Sequence, residues 1–338
     1  MINSTIKSLK DDATKLEVIQ LDYAGLTRSA ISERTGIPKT TITDFLNQDT
    51  HGLWWKDNRE NVQQLALNSG ANIWFIDIET APIMAYVWGL YDQNVAPSQI
   101  VEDWQILCVS AKRLGKDEWF RVNSAYMYLT TPSELGNFGL STDFQGVAEE
   151  LHKLLDAGDI FIAHNGIRFD NRKIRAKLIE AGLPPPTPYK VIDTLKVIKT
   201  QFGFTSNRMD YISKLLGGDG KHDTGGMQLW IDCMNGCPSA WEKMIKYCDN
   251  DILELERIYM ETRAWDNKHP NLQVYYKDSQ ERCGTCGSAN LTTIVHKQAS
   301  TNTSSYEILK CEDCQTTKRR RKNLRSREQM QNTLMNIS

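Results

Sequence analysis

The spacing of hydrophobic residues changes along the chain and divides it into regions. Between residues 13 and 47 apolar positions recur at helical spacing, with a break at Gly36. From residue 72 short apolar runs alternate with stretches of helical spacing, an order that indicates an α/β sheet domain. The pattern predicts a helical domain at 1–50, a linker at 51–70, an α/β domain at 71–268, a cysteine-containing module at 278–318 and a basic, flexible tail at 319–338.

Within the α/β domain, the apolar runs at 73–76, 106–110 and 160–163 are typical of buried strands. Amphipathic spacing predicts helices between and after them, at 145–156, 171–181, 209–216 and 240–265. We therefore expect a mixed sheet with flanking helices.

The first domain has the pattern of a helix, a tight glycine turn and a second helix. This resembles a helix-turn-helix module, and in that interpretation Lys39 and Thr41 contact nucleic acid. The alternative is a small helical bundle that docks on another domain or on a protein partner.

Composition and charge limit the classes of partner. Hydrophobic residues make up 40% and charged residues 24% of the 338 residues, as in ordinary globular proteins. The formal net charge of −2 gives no general attraction to a polyanion, so nucleic-acid binding would need local basic patches or metal ions. Apolar runs are shorter than the roughly 20 residues that cross a bilayer, so we expect a cytoplasmic protein without a membrane partner.

Acidic residues stand at the ends of apolar segments. In the sequence Asp77-Ile78-Glu79 the alternation along a strand places both carboxylates on one face. Asp170 follows the polar loop after the run 160–163, at the start of a predicted helix. Tyr247 and Asp251 are four residues apart, which on a helix stacks them on one face. Oxygen ligands of this kind suit Mg²⁺ or Mn²⁺.

Together these residues resemble the DEDD superfamily of 3′-to-5′ exonucleases, which has a ribonuclease-H-like fold. The motifs are D-x-E, H-N-x4-D and Y-x3-D, in the family's order, over residues 77–251. One branch of the superfamily has a histidine five residues before the last aspartate, where this chain has Lys246, and the other has a tyrosine four before it. The tyrosine branch, which includes polymerase proofreading domains, is the one that this chain resembles.

The resemblance implies roles for the five residues. Asp77 would bridge two divalent ions, Glu79 and Asp251 would hold the first, and Asp170 the second, while Tyr247 would orient the attacking water. The expected activity is 3′-to-5′ DNA exonuclease activity that releases nucleoside 5′-monophosphates. The alternatives are an exoribonuclease, a structure-specific endonuclease, or a DNA-binding regulator with an inert middle domain.

Other residues near these motifs are open to two interpretations. His164 and Asn165 either contact substrate or fix their loop by hydrogen bonds. Trp88, Tyr91 and Trp104 are expected to pack in the core, with stacking on terminal bases as the alternative. The glycine-rich segment around Lys221 is expected to be a surface loop that could approach phosphate.

Two C-x2-C pairs separated by 24 residues predict a metal site in the last module. Strand-like segments at 291–297 and 305–310 would form a hairpin that brings the pairs together, and four thiolates suit tetrahedral Zn²⁺. The module resembles a zinc ribbon with one structural Zn²⁺. Its ligands would be Cys283, Cys286, Cys311 and Cys314.

The end of the chain is basic, with seven lysines and arginines against one acid from residue 315 on. This run favours phosphate contact, with a merely solvated tail as the alternative. Its predicted nucleic-acid contacts are Arg319, Arg320, Arg321 and Lys322. We expect a single-stranded or duplex DNA 3′ end as substrate and a DNA polymerase or a replication or recombination protein as a further partner. The arrangement resembles nucleases of bacteriophages, which implies a bacterial host cytoplasm.

Overall fold

The structure, a computed structural model, describes residue 18 and residues 27–47, 70–125 and 144–335. The chain divides into two compact units, Asn72–His269 and a second unit that contains Met1–Ala71 and Pro270–Ser338. Most of the predicted helical stretch at 13–26, and the predicted linker apart from Gly70, lie outside the described residues.

In the described part of the N-terminal domain, residues 27–47 form two short helices around a glycine turn. They are α1 (Arg28–Thr35) and α2 (Lys39–Asn47). Thr27 caps α1 by accepting a hydrogen bond from the Ala30 amide, and Gly36 ends the helix in a left-handed conformation with φ 71° that favours glycine. The buried side chains of this small core are Val18, Ile31, Ile37 and Ile42.

The central unit is built on a mixed sheet and its helices. Its strands are β1 (Ile73–Thr80), β2 (Met84–Ala85), β3 (Ile100–Glu102), β4 (Ile106–Arg113), β5 (Trp119–Asn123), β6 (Ile160–Ala163) and β7 (Lys190–Asp193). Its helices are α3 (Phe144–Ala157), α4 (Asp170–Glu180), α5 (Thr194–Gln201), α6 (Met209–Leu215), α7 (Met227–Met234) and α8 (Pro238–Thr262).

Five of these strands form one sheet in the order β5-β4-β1-β6-β7. The β5, β4 and β1 pairs are antiparallel, whereas β1 pairs with β6 and β6 with β7 in parallel. Strands β2 and β3, which lie in the chain segment that connects β1 to β4, form a separate antiparallel pair. The fold class is therefore the predicted mixed α/β sheet with flanking helices.

Alternation along β1 assigns its side chains to the two faces of the sheet. Trp74, Ile76 and Ile78 pack in one core with residues of α3 and α4. Phe75 points the other way and meets the ring of Tyr259 in α8, with centroids 5.6 Å apart. The acidic residues near the C-terminal end of β1 that point to this second face therefore lie under α8.

The C-terminal module forms a three-stranded antiparallel sheet in the order β10-β9-β8. Its elements are β8 (Leu291–Ser300), β9 (Ser305–Cys311), β10 (Thr317–Arg319) and, after them, α9 (Arg327–Gln331). The tail predicted from residue 319 contains secondary structure in the part that is described. The Leu324 amide donates to the Ser305 carbonyl at 2.8 Å, and Ser326 caps α9, so this segment has its own backbone partners.

Strands β5 and β7 and helices α5 and α7 were not among the elements predicted from the sequence. Both strands are short and lie at the edges of the sheet, where only part of each strand is buried and no long apolar run is needed. In the described part of the chain, every helix is too short or too polar to cross a membrane.

Candidate active site

Strand β1 carries two carboxylates near its C-terminal end. Asp77 and Glu79 lie opposite Ser110 and Cys108 of β4, on the face that α8 covers. Both side chains are half-buried, and the thiol of Cys248 in α8 lies 4.0 Å from Oδ2 of Asp77. Period-two alternation thus places both carboxylates against the same helix.

Asp170 reaches the same strand from the start of α4. Its Oδ1 accepts a hydrogen bond of 3.3 Å from the Ile78 amide, which lies between the two acidic residues of β1. The side chain is buried, and the first turn of a helix is a favourable place for an anion. This long-range hydrogen bond fixes Asp170 beside Asp77.

Helix α8 supplies the remaining two predicted residues. Asp251 is fully buried, and Tyr247, one turn earlier, is 8% exposed and makes an edge contact with Trp230. Asp77, Glu79 and Asp251 each offer a carboxylate oxygen, and these oxygens lie within 4.8 Å of one another. The structure therefore brings together acidic residues that are up to 174 positions apart in the chain.

Burial of so many like charges shifts their titration. Burial, followed by the charges of Asp170, Glu79 and Asp251, raises the pKa of Asp77 well above its usual value. Burial also raises the pKa of Glu79 to about 7 and the pKa of Asp170 to about 7. A cation bound among these acids would favour their ionised forms and relieve the repulsion between them.

Lys221 places a positive charge among these acids. This role of Lys221 was not predicted from the sequence. Its Nζ donates to Oδ2 of Asp251 and, at 2.9 Å, to the hydroxyl of Tyr247. Although burial lowers the pKa of Lys221, Asp251 and Asp77 raise it more, and the net shift is upward. The only sequence signal was a lone lysine in a glycine-rich segment, which by itself is typical of a surface loop.

The loop that carries Lys221 is held in place by its backbone. The Lys221 amide donates to Oδ1 of Asp210 at 2.9 Å, and Asn250 of α8 donates to the Gly220 carbonyl at 3.0 Å. Gly220 has a φ of 79°, and a Cβ at this position would lie 2.4 Å from Oδ1 of Asp210, so both conformation and space require glycine. Lys221 is therefore directed at the carboxylates by a built turn.

The carboxylate cluster fits a divalent cation on the chemistry of its donors. Within the described residues, Oδ1 of Asp251 is buried and lacks a hydrogen-bond partner. A buried carboxylate oxygen without a partner is costly unless an ion or water occupies the place beside it. Hard oxygen donors up to 4.8 Å apart leave room for Mg²⁺ or Mn²⁺, whose bonds to oxygen are about 2.1 Å long.

The loop between β6 and α4 is fixed by internal hydrogen bonds. Both ring nitrogens of His164 are engaged, with the hydroxyl of Thr194 at 2.9 Å and the carbonyl of Asn207 at 3.1 Å. The amide of Asn165 donates to Asp193 at 2.9 Å, and Asp193 also caps α5. Of the two interpretations, these contacts favour loop fixation for His164 over substrate contact.

The expectation that Trp88 and Tyr91 pack in the core is wrong. Trp88 is 98% and Tyr91 84% exposed, because both belong to the loop between β2 and β3 that extends from the sheet. Trp104 does pack partly against the main core, where the amino group of Lys173 lies 3.5 Å from its ring centroid.

The four cysteines of the C-terminal module converge as predicted from their spacing. Their sulfur atoms lie within 4.8 Å of one another, with 3.6 Å between Cys283 and Cys314 and 3.5 Å between Cys286 and Cys311. Tetrahedral Zn²⁺ with bonds of about 2.3 Å separates its sulfurs by about 3.8 Å. The cluster therefore fits a zinc ion.

The predicted nucleic-acid contacts outside the central unit differ in their surroundings. Lys39 and Thr41 are exposed on α2, as are Arg319, Arg321 and Lys322 in the C-terminal module. Arg319 stacks over Tyr306, with its guanidinium carbon 3.9 Å from the ring centroid. Arg320, in contrast, is paired with Glu281 and Glu307, so its charge is already balanced by two carboxylates.

Part of this chain is similar to known proteins. Residues 140–263 match a family model described as RNase_H superfamily, a range that contains Asp170, Tyr247 and Asp251. The central unit is a ribonuclease-H-like domain. Protein NEN3 and Protein NEN4 of Arabidopsis thaliana are each 37% identical to this chain over 70 residues, or 21% of the chain. The matched part spans 14% of Protein NEN3 and 27% of Protein NEN4.

Proposed function

We propose that the ribonuclease-H-like domain is a metal-dependent 3′-to-5′ DNA exonuclease that releases nucleoside 5′-monophosphates. The observation that carries this proposal is the convergence of Asp77, Glu79 and Asp251, with Asp170 beside them on the Ile78 amide. Asp77, Glu79 and Asp251 would hold one divalent ion, and Asp77 and Asp170 a second. When bound, two such ions stabilise the attacking and leaving oxygens of a displacement at phosphorus.

Tyr247 acts in this proposal as a hydrogen-bond donor. Its oxygen accepts a hydrogen bond from Lys221, and in the proposed reaction its own proton would be donated to the attacking water or to a phosphate oxygen. Burial, and then the charge of Asp251, raises the pKa of the Tyr247 hydroxyl, which keeps this proton on the phenol. Tyr247 would therefore orient the water rather than deprotonate it.

Lys221 adds a residue to the proposed site. By donating to both Asp251 and Tyr247 it fixes the direction of the phenol and supplies a positive charge among four acids. We assign it a positioning role for Tyr247, since the contact reaches the reacting groups through that hydroxyl.

The flanking domains are part of the same proposal. The exposed Lys39 and Thr41, together with Arg319, Arg321 and Lys322, would bind DNA phosphates and hold the strand, whereas the cysteine cluster would hold a structural Zn²⁺. A helix of α2's length enters the major groove of DNA but not the deep, narrow groove of A-form RNA, which favours DNA. A polymerase or a replication or recombination partner, and an origin in a bacteriophage, stay predictions.

The proposal is tested by incubating the full chain with 5′-labelled DNA in the presence of Mg²⁺ or Mn²⁺. We expect the labelled strand to shorten stepwise from its 3′ end, and the released products to co-migrate with nucleoside 5′-monophosphates. The same assay with labelled RNA, and with circular DNA that has no ends, separates an exoribonuclease and an endonuclease from the proposed activity.

Two variants complete the design. Asp77→Ala should abolish shortening of the DNA. Glu261→Gln alters an exposed acid of α8 that lies outside the cluster, and it should leave the shortening unchanged. Intact DNA that is bound tightly by the unaltered chain would refute the exonuclease and support a DNA-binding regulator. Shortening that survives in Asp77→Ala would refute the site.

A further inference from the structure

The segment between β1 and β4 presents large apolar side chains to solvent. We define the arm surface as Tyr86, Val87, Trp88, Leu90, Tyr91 and Val95. Trp88, Leu90 and Tyr91 are 98%, 90% and 84% exposed, values at which these side chains contribute almost nothing to the core. Isolated apolar residues on a surface need no explanation, but a run of six within ten positions does.

The arm surface is carried by a built hairpin. The Tyr86 amide donates to the Gln99 carbonyl at 2.9 Å, and the Gln99 side-chain amide returns a hydrogen bond of 2.9 Å to the Tyr86 carbonyl. The Ala96 amide donates to Oε1 of Gln99 at 2.8 Å. These bonds hold the base of the arm, so its tip is presented outward with its apolar side chains unburied.

The size of the arm surface matches a protein interface. Aromatic side chains cover about 150 to 250 Å² each, so its three aromatic residues alone expose about 500 Å². The largest apolar patch on an ordinary monomer is about 300 to 600 Å² in total. With its aliphatic neighbours the arm surface approaches the ~800 Å² that each partner contributes to a stable interface of standard size.

The charges of the arm's own segment argue against a nucleic acid as its occupant. Residues 81–111 contain no lysine or arginine, and their ionisable side chains apart from the cysteine and tyrosines are the acids Asp92, Glu102 and Asp103. A surface that binds a polyanion needs cations near its aromatic residues. Aromatic and aliphatic residues with few charges among them are instead typical of the core of a protein interface.

We propose that the arm surface joins two copies of this chain in a symmetric dimer. A two-fold interface uses the same patch on both subunits, and an exposed apolar patch of this kind can pack against a copy of itself. Its area approaches that of a standard interface, and burying it removes aromatic side chains from water on both copies. The dimer does not depend on the proposed nuclease activity and can be tested without it.

The test is the mass of the full chain in solution, measured by sedimentation and by light scattering across a wide range of concentrations. We expect a dimer that persists in high salt, because apolar contacts are not screened. The double variant Trp88→Ala, Tyr91→Ala should weaken the dimer by about tenfold or more, as for other aromatic anchors. Trp88→Phe should retain it, and Ile179→Ser, which alters an exposed apolar residue of α4, should leave it unchanged.

Since Trp88 and Tyr91 contribute almost nothing to the core, the double variant should melt at the same temperature as the unaltered chain, and circular dichroism checks this. A monomer at every concentration would overturn the proposal, and so would a dimer that the double variant leaves intact. A monomer that binds single-stranded oligonucleotides and loses that binding in the double variant would overturn it in favour of a nucleic-acid surface.

Discussion

The two clusters of candidate metal ligands in this chain are built in opposite ways. The carboxylates come from distant positions, and a large apolar core around β1 and α8 holds them in place. The cysteines span residues 283–314, and the hydrophobic cluster of their module is made of the cysteines themselves, with Leu291 packed against them. The carboxylates are thus positioned by a large core beside them, whereas the cysteines themselves form the centre of their module.

This difference separates two uses of a metal ion. Where a core already fixes the ligands, the cation relieves repulsion among buried acids and leaves coordination positions for substrate. Where four sulfurs surround the ion, every position is filled, and binding energy becomes folding energy. We therefore expect metal removal to stop chemistry in the ribonuclease-H-like domain and to unfold the cysteine module.

The largest expected effect is the loss of one sulfur ligand. Cys311→Ser should remove bound zinc and unfold residues 283–319, because Zn²⁺ supplies about 10 to 16 kcal/mol in modules of this kind. Zinc content and hydrogen exchange of the module measure this, with Cys237→Ser as the matched control at a cysteine outside the cluster. A module that keeps its exchange protection without zinc would break the comparison.

Loss of one carboxylate should act on activity without harming the fold. Asp77→Asn should lower the rate of DNA shortening by about a thousandfold or more, equivalent to about 4 kcal/mol. The melting temperature of the metal-free variant should stay the same or rise. The substitution removes a carboxylate that three neighbouring acids repel. A fall in both activity and melting temperature would mean that Asp77 is a structural residue.

A third prediction concerns pH and follows from the raised pKa values of Glu79 and Asp170, both about 7. Below their unfolded values these acids are protonated in both states, and as pH rises towards 7 the unfolded chain ionises first. The metal-free protein should therefore lose stability between about pH 4.5 and pH 7. Added Mn²⁺ should raise the melting temperature by on the order of 5 °C at pH 8 and much less at pH 5.

Thermal melts of the unaltered chain and of Asp77→Asn at both pH values measure this dependence. The stabilisation by Mn²⁺ at pH 8 should be lost in the variant, because its cluster holds the ion poorly. Equal stabilisation at pH 5 and pH 8 would contradict a site formed by ionised carboxylates.

The smallest effect is expected from Lys221. Lys221→Met should reduce kcat by about tenfold with little change in KM, because the phenol of Tyr247 loses its partner while the substrate contacts stay. Lys221→Arg should recover part of the rate, and Lys268→Met, an exposed lysine near the end of the domain, should behave like the unaltered chain. A change confined to KM would assign Lys221 to substrate binding instead.

The sequence predicted what short periodic patterns encode. The buried strand at 160–163, the start of β1 and the long helix that carries Tyr247 and Asp251 follow from apolar spacing. The acids of the site lie near the end of β1, at the start of α4 and in the middle of that long helix. The edge strand β7 was missed because four residues with one exposed end give little periodic signal. Local pattern alone could not place the arm outside the core, since an exposed and a buried tryptophan look alike in sequence.

The contacts of Lys221 show the other limit. Its position depends on the turn at Gly220 and on α8, thirty residues further along, and no local pattern connects them. The hydrogen bond from Ile78 to Asp170 joins residues 92 positions apart and is likewise a product of the whole sheet. Such contacts follow from tertiary packing, which sequence spacing does not encode.

The central claim is that the acids of β1, α4 and α8 form a site for paired divalent cations. Anomalous diffraction from crystals soaked in Mn²⁺ tests it most directly. We predict one strong peak among Asp77, Glu79 and Asp251 and a second between Asp77 and Asp170, with Lys221 moved away from Asp251. Manganese bound elsewhere, or density that shows these carboxylates without any ion, would contradict the account.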